Sequence, residues 1–219
     1  MKIIKKIDCA GTNLNIYDGP VGVMVSGGAD SAILLYYLMK HCTETIFIFT
    51  EGNNVKLRRN AIISPRVVEK CIELTGNINV VHQINYITET NLETLYKNPR
   101  FAVRESGYVR IVYEGLTMNP PDDISNNLVP ELDFEHTRST DGDNPIFHDD
   151  NKFYMPWTNT DKKGIAKMYR EENLIDTLLP VTRSCEYDPN CEFFDDVKDP
   201  GLGHCGECWW CKEREWAFK

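Results

Sequence analysis

No apolar run in this 219-residue chain approaches the roughly 18 residues of a membrane span, and residues 1–10 (MKIIKKIDCA) lack the long apolar core of a secretion signal. A soluble protein of the cytoplasm is expected. Positive charge is also scarce, with 24 Lys and Arg against 33 Asp and Glu and a net charge of −9. That balance leaves no extended basic surface of the kind that neutralises nucleic-acid phosphates, so a small-molecule substrate is favoured over a nucleic-acid partner. The one small basic cluster, Lys56, Arg58 and Arg59, reads as a solvated helix start. No internal repeat is evident. The acidic run Asp141-Gly142-Asp143-Asn144 lacks the alternating oxygen ligands and terminal Glu of a calcium loop, and His136 and His148 read as surface residues of the same polar stretch.

What the chain does contain is the stretch Val21 to Ser31, VGVMVSGGADS. Val21, Val23, Met24 and Val25 form an apolar run of strand length, Ser26, Gly27 and Gly28 permit a tight turn, and Ile33, Leu34, Tyr37 and Leu38 recur at helical spacing. A strand that runs through glycines into a helix directs the first helical amides at one point, where the helix dipole favours an anion. The segment from Val25 through Ser26, Gly27, Gly28, Ala29 and Asp30 to Ser31 is therefore the candidate phosphate grip. Ala29-Asp30 stands where a kinase-type P-loop needs Lys followed by Ser or Thr, and two adjacent glycines are not the three spaced ones of a dinucleotide fingerprint.

Further along, TIFIFT at Thr45–Thr50 reads as a buried strand, Ser64-Pro65 as the start of a helix ending at Gly76, and Ile78–His82 and Tyr108–Tyr113 as strands. A helix is expected around Leu92 and Leu95, and another after a Thr160-Asp161 cap. Alternating strands and helices predict an α/β fold, a parallel sheet with helices on both faces and ligands at the carboxyl ends of its strands. Residues 119–151 lose all periodicity and read as an irregular insertion, placed to act as a lid. The expected division is a nucleotide-binding domain over 1–180 and a metal-binding segment over 181–219.

Five of the eight cysteines, Cys185, Cys191, Cys205, Cys208 and Cys211, lie in that last segment. Cys205 and Cys208 form one knuckle, Cys211 follows one helical turn on, and Cys185 can fold back as a fourth ligand, which is the donor set of a closed zinc site. Cys191 and His204 are alternative fourth ligands. An iron-sulfur cluster competes, although Glu215 stands where a ferredoxin run places its next cysteine.

The loop SGGADS resembles the pyrophosphate loop of the PP-loop ATP pyrophosphatases, whose fold is that of the adenine nucleotide alpha hydrolases. Together with Ser184-Cys185 and CGECWWCKER at Cys205–Arg214, it makes the chain resemble the 7-cyano-7-deazaguanine synthase family. Gly52, Gly115, Pro156, Lys162 and Thr182 follow the order of that family. The resemblance implies an ATP-dependent ligase that adenylates the carboxylate of a 7-carboxy-7-deazaguanine and couples it to ammonia, and a homodimer. It implies pyrophosphate held by Ser26, Gly27, Gly28 and Ser31, magnesium or loop order from Asp30, charge compensation from Lys162, and zinc on Cys185, Cys205, Cys208 and Cys211. Two segments depart from the family, Phe101–Arg104 and Asn119–Ser125, and both stand where the family contacts its base. A changed acceptor is therefore expected with the activating chemistry retained. A transfer-RNA thiolation enzyme and a nucleotide-binding protein without turnover share the same loop.

Overall fold

In the computed structural model, residues 2–53, 58–87, 108–128, 146–148, 152–185, 204, 206 and 208–219 are described. Ala10 and Gly11, at φ 56° and 96°, turn the chain between β1 (Ile3–Cys9) and β2 (Thr12–Tyr17), which pair antiparallel as a separate hairpin. The sequence pattern does not announce β1. A strand is legible when one face is buried and its residues alternate, whereas Ile3 and Ile4 of β1 are both exposed and only Cys9 is fully covered.

The chain then alternates as expected: β3 (Val21–Met24), α1 (Ala29–His41), β4 (Ile46–Asn53), α2 (Arg58–Thr75), β5 (Val80–Ile87), β6 (Ile111–Tyr113), α3 (Asp122–Leu128), β7 (Ile146–His148), β8 (Phe153–Met155), α4 (Lys162–Glu171) and α5 (Trp209–Phe218). The main sheet has the order β5-β4-β3-β6-β8-β7. All neighbours in it are parallel except the antiparallel edge pair β7 and β8. From β3 the chain moves outward through β4 and β5, then returns to lay β6 on the other side of β3. That reversal is a topological switch point, and a crevice opens there beyond the carboxyl ends of β3 and β6.

Val21 and Val23 of β3, Ile46 and Ile48 of β4, and Ile111 and Tyr113 of β6 share a core with α1, α2 and α4. Helix α1 is buried at Ala29 and from Ser31 through Met39. A helix covered all round is an interior one, here enclosed by the sheet, α2 and α4. On the opposite face Phe49, Val109, Val112 and Phe153 are buried, so the sheet is covered on both sides. The hairpin is tied on by tyrosines: the Tyr113 hydroxyl donates to the Asn15 carbonyl (2.9 Å) and accepts from the Tyr17 amide (3.2 Å). Among the described residues no helix is long and apolar enough to cross a membrane.

Several boundaries differ from the sequence reading. Helix α2 begins at Arg58, not Ser64, and carries Pro65 inside it. Ser-Pro resembles a helix start, but tertiary contacts extend the helix by an earlier turn, with Asn60 Nδ2 donating to the Glu51 carbonyl (3.1 Å) and Ala61 packed against Gly52. Strand β5 begins at Val80 because Ile78 is 80% exposed and gains nothing from pairing. Strand β6 is confined to Ile111–Tyr113, and β8 is too short to show a period. Residues 119–151 contain α3 and β7, so the stretch is not irregular throughout. The expected helix around Leu92 and Leu95 lies outside the described residues, as do Phe101–Arg104.

Candidate functional site

The glycine turn is fixed by close packing. Gly27 has φ +86°, and a Cβ there would stand 2.6 Å from Ile63 Cγ2. Gly28 is extended and caps α1 without any side-chain hydrogen bond to the first-turn amides. Those amides and the positive helix end are thereby available to an anion. Ser26 Oγ accepts from the Gly28 amide at 3.3 Å and lies 3.3 Å from Ser31 Oγ, which donates to the Gly28 carbonyl at 3.2 Å. Beyond β6, Gly115 lies so close that a Cβ would meet the Asp30 carbonyl carbon and the Ser31 amide at 3.0 Å. Val25 is held from behind by Thr50, whose hydroxyl donates to the Val25 carbonyl at 2.8 Å.

Thr50 Oγ1 has its proton committed to Val25, so the His82 Nε2 at 2.9 Å must donate to it, with Ser64 Oγ 3.5 Å away. Burial lowers the His82 pKa below its usual 6.5. The unfolded chain therefore binds that proton more tightly, and the stability contributed is complete above 6.5 and lost as pH falls through the lowered folded value. The melting temperature is expected to drop more between pH 7 and pH 5 in the native protein than in His82→Gln. Parallel curves for the two proteins would show that His82 is not the group responsible.

Three charged side chains from distant parts of the chain meet beside the loop. Lys162, at the start of α4, pairs with Asp30 Oδ2 and lies 3.8 Å from Glu213 Oε2 of α5. Their side chains are 4%, 20% and 0% exposed respectively. The α4 start is set by Asp161, which accepts from the Gly164 amide at 2.9 Å. The second Asp30 oxygen, Oδ1, is buried with no hydrogen-bond partner among the described residues, a donor that fits a hard cation such as magnesium. Glu213 is a residue the sequence did not reveal, since a glutamate among Lys and Arg in a terminal helix reads as solvated.

Asp30 and Lys162, with the glycine loop, line a cleft of about 430 Å³ at the switch point, and Glu213 lies buried behind Lys162. Phe49, Glu51, Arg59 and Asn60 form one wall from β4 and α2, and Gly115, Leu116 and Thr117 follow β6. Arg59 thus faces the cleft and is not only part of a solvated helix start. A third wall consists of Arg183, Ser184 and Trp210. The Arg183 amide donates to the Gly27 carbonyl at 2.9 Å, and Arg214 of α5 braces the same segment through Thr182 Oγ1 (2.8 Å), Ser184 Oγ (3.3 Å) and the Leu179 carbonyl (2.9 Å). Trp210 lines the cleft and also packs against the cysteines.

Cys185, Cys208 and Cys211 come together in the fold with their sulfurs within 4.8 Å of one another, all buried. Cys208 Sγ is 3.8 Å from Cys185 Sγ, and His204 Nδ1 is 3.8 Å from Cys211 Sγ. A single tetrahedral ion with bonds of about 2.3 Å spaces its sulfurs at about 3.8 Å, so the three thiols suit one shared metal ion. Without a cation the crowding works against ionisation. The neighbouring Cys185 thiol, followed by Cys211 and burial, pushes Cys208 far up, and the Cys185 thiol raises Cys211 to about 11. Cys205 and Cys191 lie outside the described residues. Cys9 and Cys42 are isolated and pushed up to about 12, chiefly by burial, which suits inert packing.

No family model matches the sequence, and no curated protein matches it. Among solved structures, the NMN synthetase of Francisella tularensis is 13% identical over 92% of this chain and 87% of that one, with a TM-score of 0.45. A U34-tRNA thiolase from Methanococcus maripaludis, with its 4Fe-4S cluster, is 13% identical over 91% and 70%, with a TM-score of 0.46. The NH3-dependent NAD synthetase of Campylobacter jejuni is 13% identical over 92% and 87%, with a TM-score of 0.43.

Proposed function

We propose that the chain is an ATP-dependent ligase of the PP-loop type, which transfers AMP from ATP to the carboxylate of a 7-carboxy-7-deazaguanine or a close relative and then couples the acyl group to ammonia. The observation that carries this reading is the uncapped start of α1 behind a glycine turn, with the Lys162–Asp30 pair beside it at the switch point. The triphosphate lies over Ser26–Ser31, where first-turn amides and the two hydroxyls hold its β and γ phosphates. Asp30 Oδ1 would hold a magnesium ion, which supplies charge neutralisation when bound.

In the first step a carboxylate oxygen bonds to the α-phosphorus, the bond from that phosphorus to the bridging oxygen breaks, and pyrophosphate departs with the electron pair. Lys162 turns from Asp30 to the leaving oxygens and offsets their charge. Ammonia then bonds to the acyl carbon, AMP leaves, and the nitrogen loses a proton to give the amide. A second ATP can adenylate the amide oxygen with release of pyrophosphate, after which loss of AMP and of both nitrogen protons gives the nitrile. Cys185, Cys208 and Cys211, with His204 or Cys205 as the fourth ligand, would hold zinc as a structural ion.

Incubation with ATP, ammonia and 7-carboxy-7-deazaguanine, with nucleotides separated and product mass measured, tests the proposal. AMP that forms only with the acid present, and a product with the mass of the amide or nitrile, is the expected result. Release of ADP, or ATP left intact with every deazaguanine acid offered, would overturn it.

A further inference from the structure

Arg214 has only donors to offer, so the Ser184 oxygen 3.3 Å from its Nη1 is an acceptor, and the Ser184 proton is left to point elsewhere. Thr182 provides the contrast. It accepts from the same Arg214 nitrogen at 2.8 Å but spends its own proton on the Leu179 carbonyl, also at 2.8 Å. Ser184, unlike Thr182, lines the cleft. A hydroxyl whose oxygen is polarised by a buried guanidinium is a strengthened donor, suited to an anionic oxygen.

Arg183 and Trp210 line the same cleft as Ser184. The indole is held in place from behind. Trp209, 3% exposed, meets it edge to face with centroids 6.2 Å apart, and the Cys185, Cys208 and Cys211 cluster packs beneath it. A cationic residue, an oriented hydroxyl and a braced indole lining one cleft match a flat ring that bears a carboxylate.

We propose that Arg183, Ser184 and Trp210 form the acceptor subsite, with Trp210 stacked on the planar ring of a heteroaromatic carboxylic acid and Ser184 and Arg183 on its carboxylate. The proposal rests on the ligase reading and gives it a specificity wall. The carboxylate is then held beside the Gly27–Gly28 turn, to which the Arg183 amide is bonded, so the acid lies next to bound triphosphate. Trp210 also stands two residues from Cys208 and next to Cys211, so this wall keeps its shape only while the cysteine knuckle is folded.

The test uses native protein and the variants Ser184→Ala, Ser184→Thr, Trp210→Ala and Trp210→Phe, each first checked for native metal content and melting temperature. With 7-carboxy-7-deazaguanine as acceptor, Ser184→Ala and Trp210→Ala should raise the KM for the acid about tenfold to a hundredfold, with the KM for ATP within about twofold of native. Ser184→Thr and Trp210→Phe should recover most of the loss, because they keep the hydroxyl and the ring. In a separate titration without ATP, the acid should quench tryptophan emission of the native protein but not of Trp210→Phe, and 7-deazaguanine without the carboxylate should bind native protein and Ser184→Ala equally. A rise in the KM for ATP in place of the acid would assign this wall to the nucleotide and overturn the subsite, as would unchanged KM values. The ligase reading fails separately: quenching by the acid with no AMP formed would keep the subsite and reject the reaction.

Discussion

Lys162→Met is expected to slow acid-dependent AMP formation by about 10²- to 10³-fold, the usual cost of removing one preorganised charge that faces developing phosphate charge. The same substitution leaves Asp30 and Glu213 without their shared cation, and Glu213 is fully buried. Breaking a buried ion pair by removing one partner costs about 3–5 kcal/mol, because an uncompensated charge remains. Activity loss could therefore follow from unfolding, and a second variant separates the two causes. Lys162→Met combined with Glu213→Gln removes the buried carboxylate charge and should recover much of the melting temperature, yet AMP formation should stay as low as in Lys162→Met alone. Recovery of both together would make Lys162 a structural residue only. Glu213→Gln by itself keeps Lys162 but leaves it to Asp30, so a modest fall in kcat with little change in the KM for ATP is expected.

The phosphate loop was legible because its geometry is local. A strand, two glycines and a helix start within Val21–Ser31 determine where the amides converge, whatever the rest of the chain does. Lys162 is different, since it meets Asp30 across 132 residues of sequence, and nothing in its own neighbourhood marks it; the family resemblance alone pointed there. Arg183, Trp210 and Glu213 carried no such mark. Each sits in the stretch before Cys185 or in the terminal helix, and the local sequence there says nothing of the site that tertiary folding builds beside it. The same limit explains α2, where Ser64-Pro65 imitates a start and packing of Ala61 on Gly52 overrules it. The cysteine spacing was informative in part: Cys208 and Cys211 are fixed by one helical turn, but the approach of Cys185 depends on Arg214 bracing residues 179–184.

Replacing Cys208 by serine should remove the metal, release the Cys208 end of α5 and abolish ATP cleavage together, although no cysteine is placed on the nucleotide. A structural zinc site contributes on the order of 10 kcal/mol to the segment it closes, against a net stability of about 5–15 kcal/mol for a whole domain. The hydrogen bonds from Arg214 to Thr182, Ser184 and Leu179 contribute about 1–3 kcal/mol each, and Phe218 packs on Tyr169 at the far end of the helix, so loss of the ion frees chiefly the Cys208 end of α5. With that end go Trp210 from the cleft wall, Glu213 from Lys162 and the brace on Ser184. Purified native protein should contain about one zinc per chain and show no iron-sulfur absorption. Acid should release the ion, because each thiolate must take up a proton as it leaves the metal, and the metal-free protein should regain AMP formation when zinc is restored at neutral pH. Cys208→Ser protein that lacks metal but cleaves ATP at the native rate would show that the knuckle and the cleft are independent. Loss of activity confined to metal-free samples, with the native melting temperature retained, would instead place the ion in the reaction and end its assignment as a structural one.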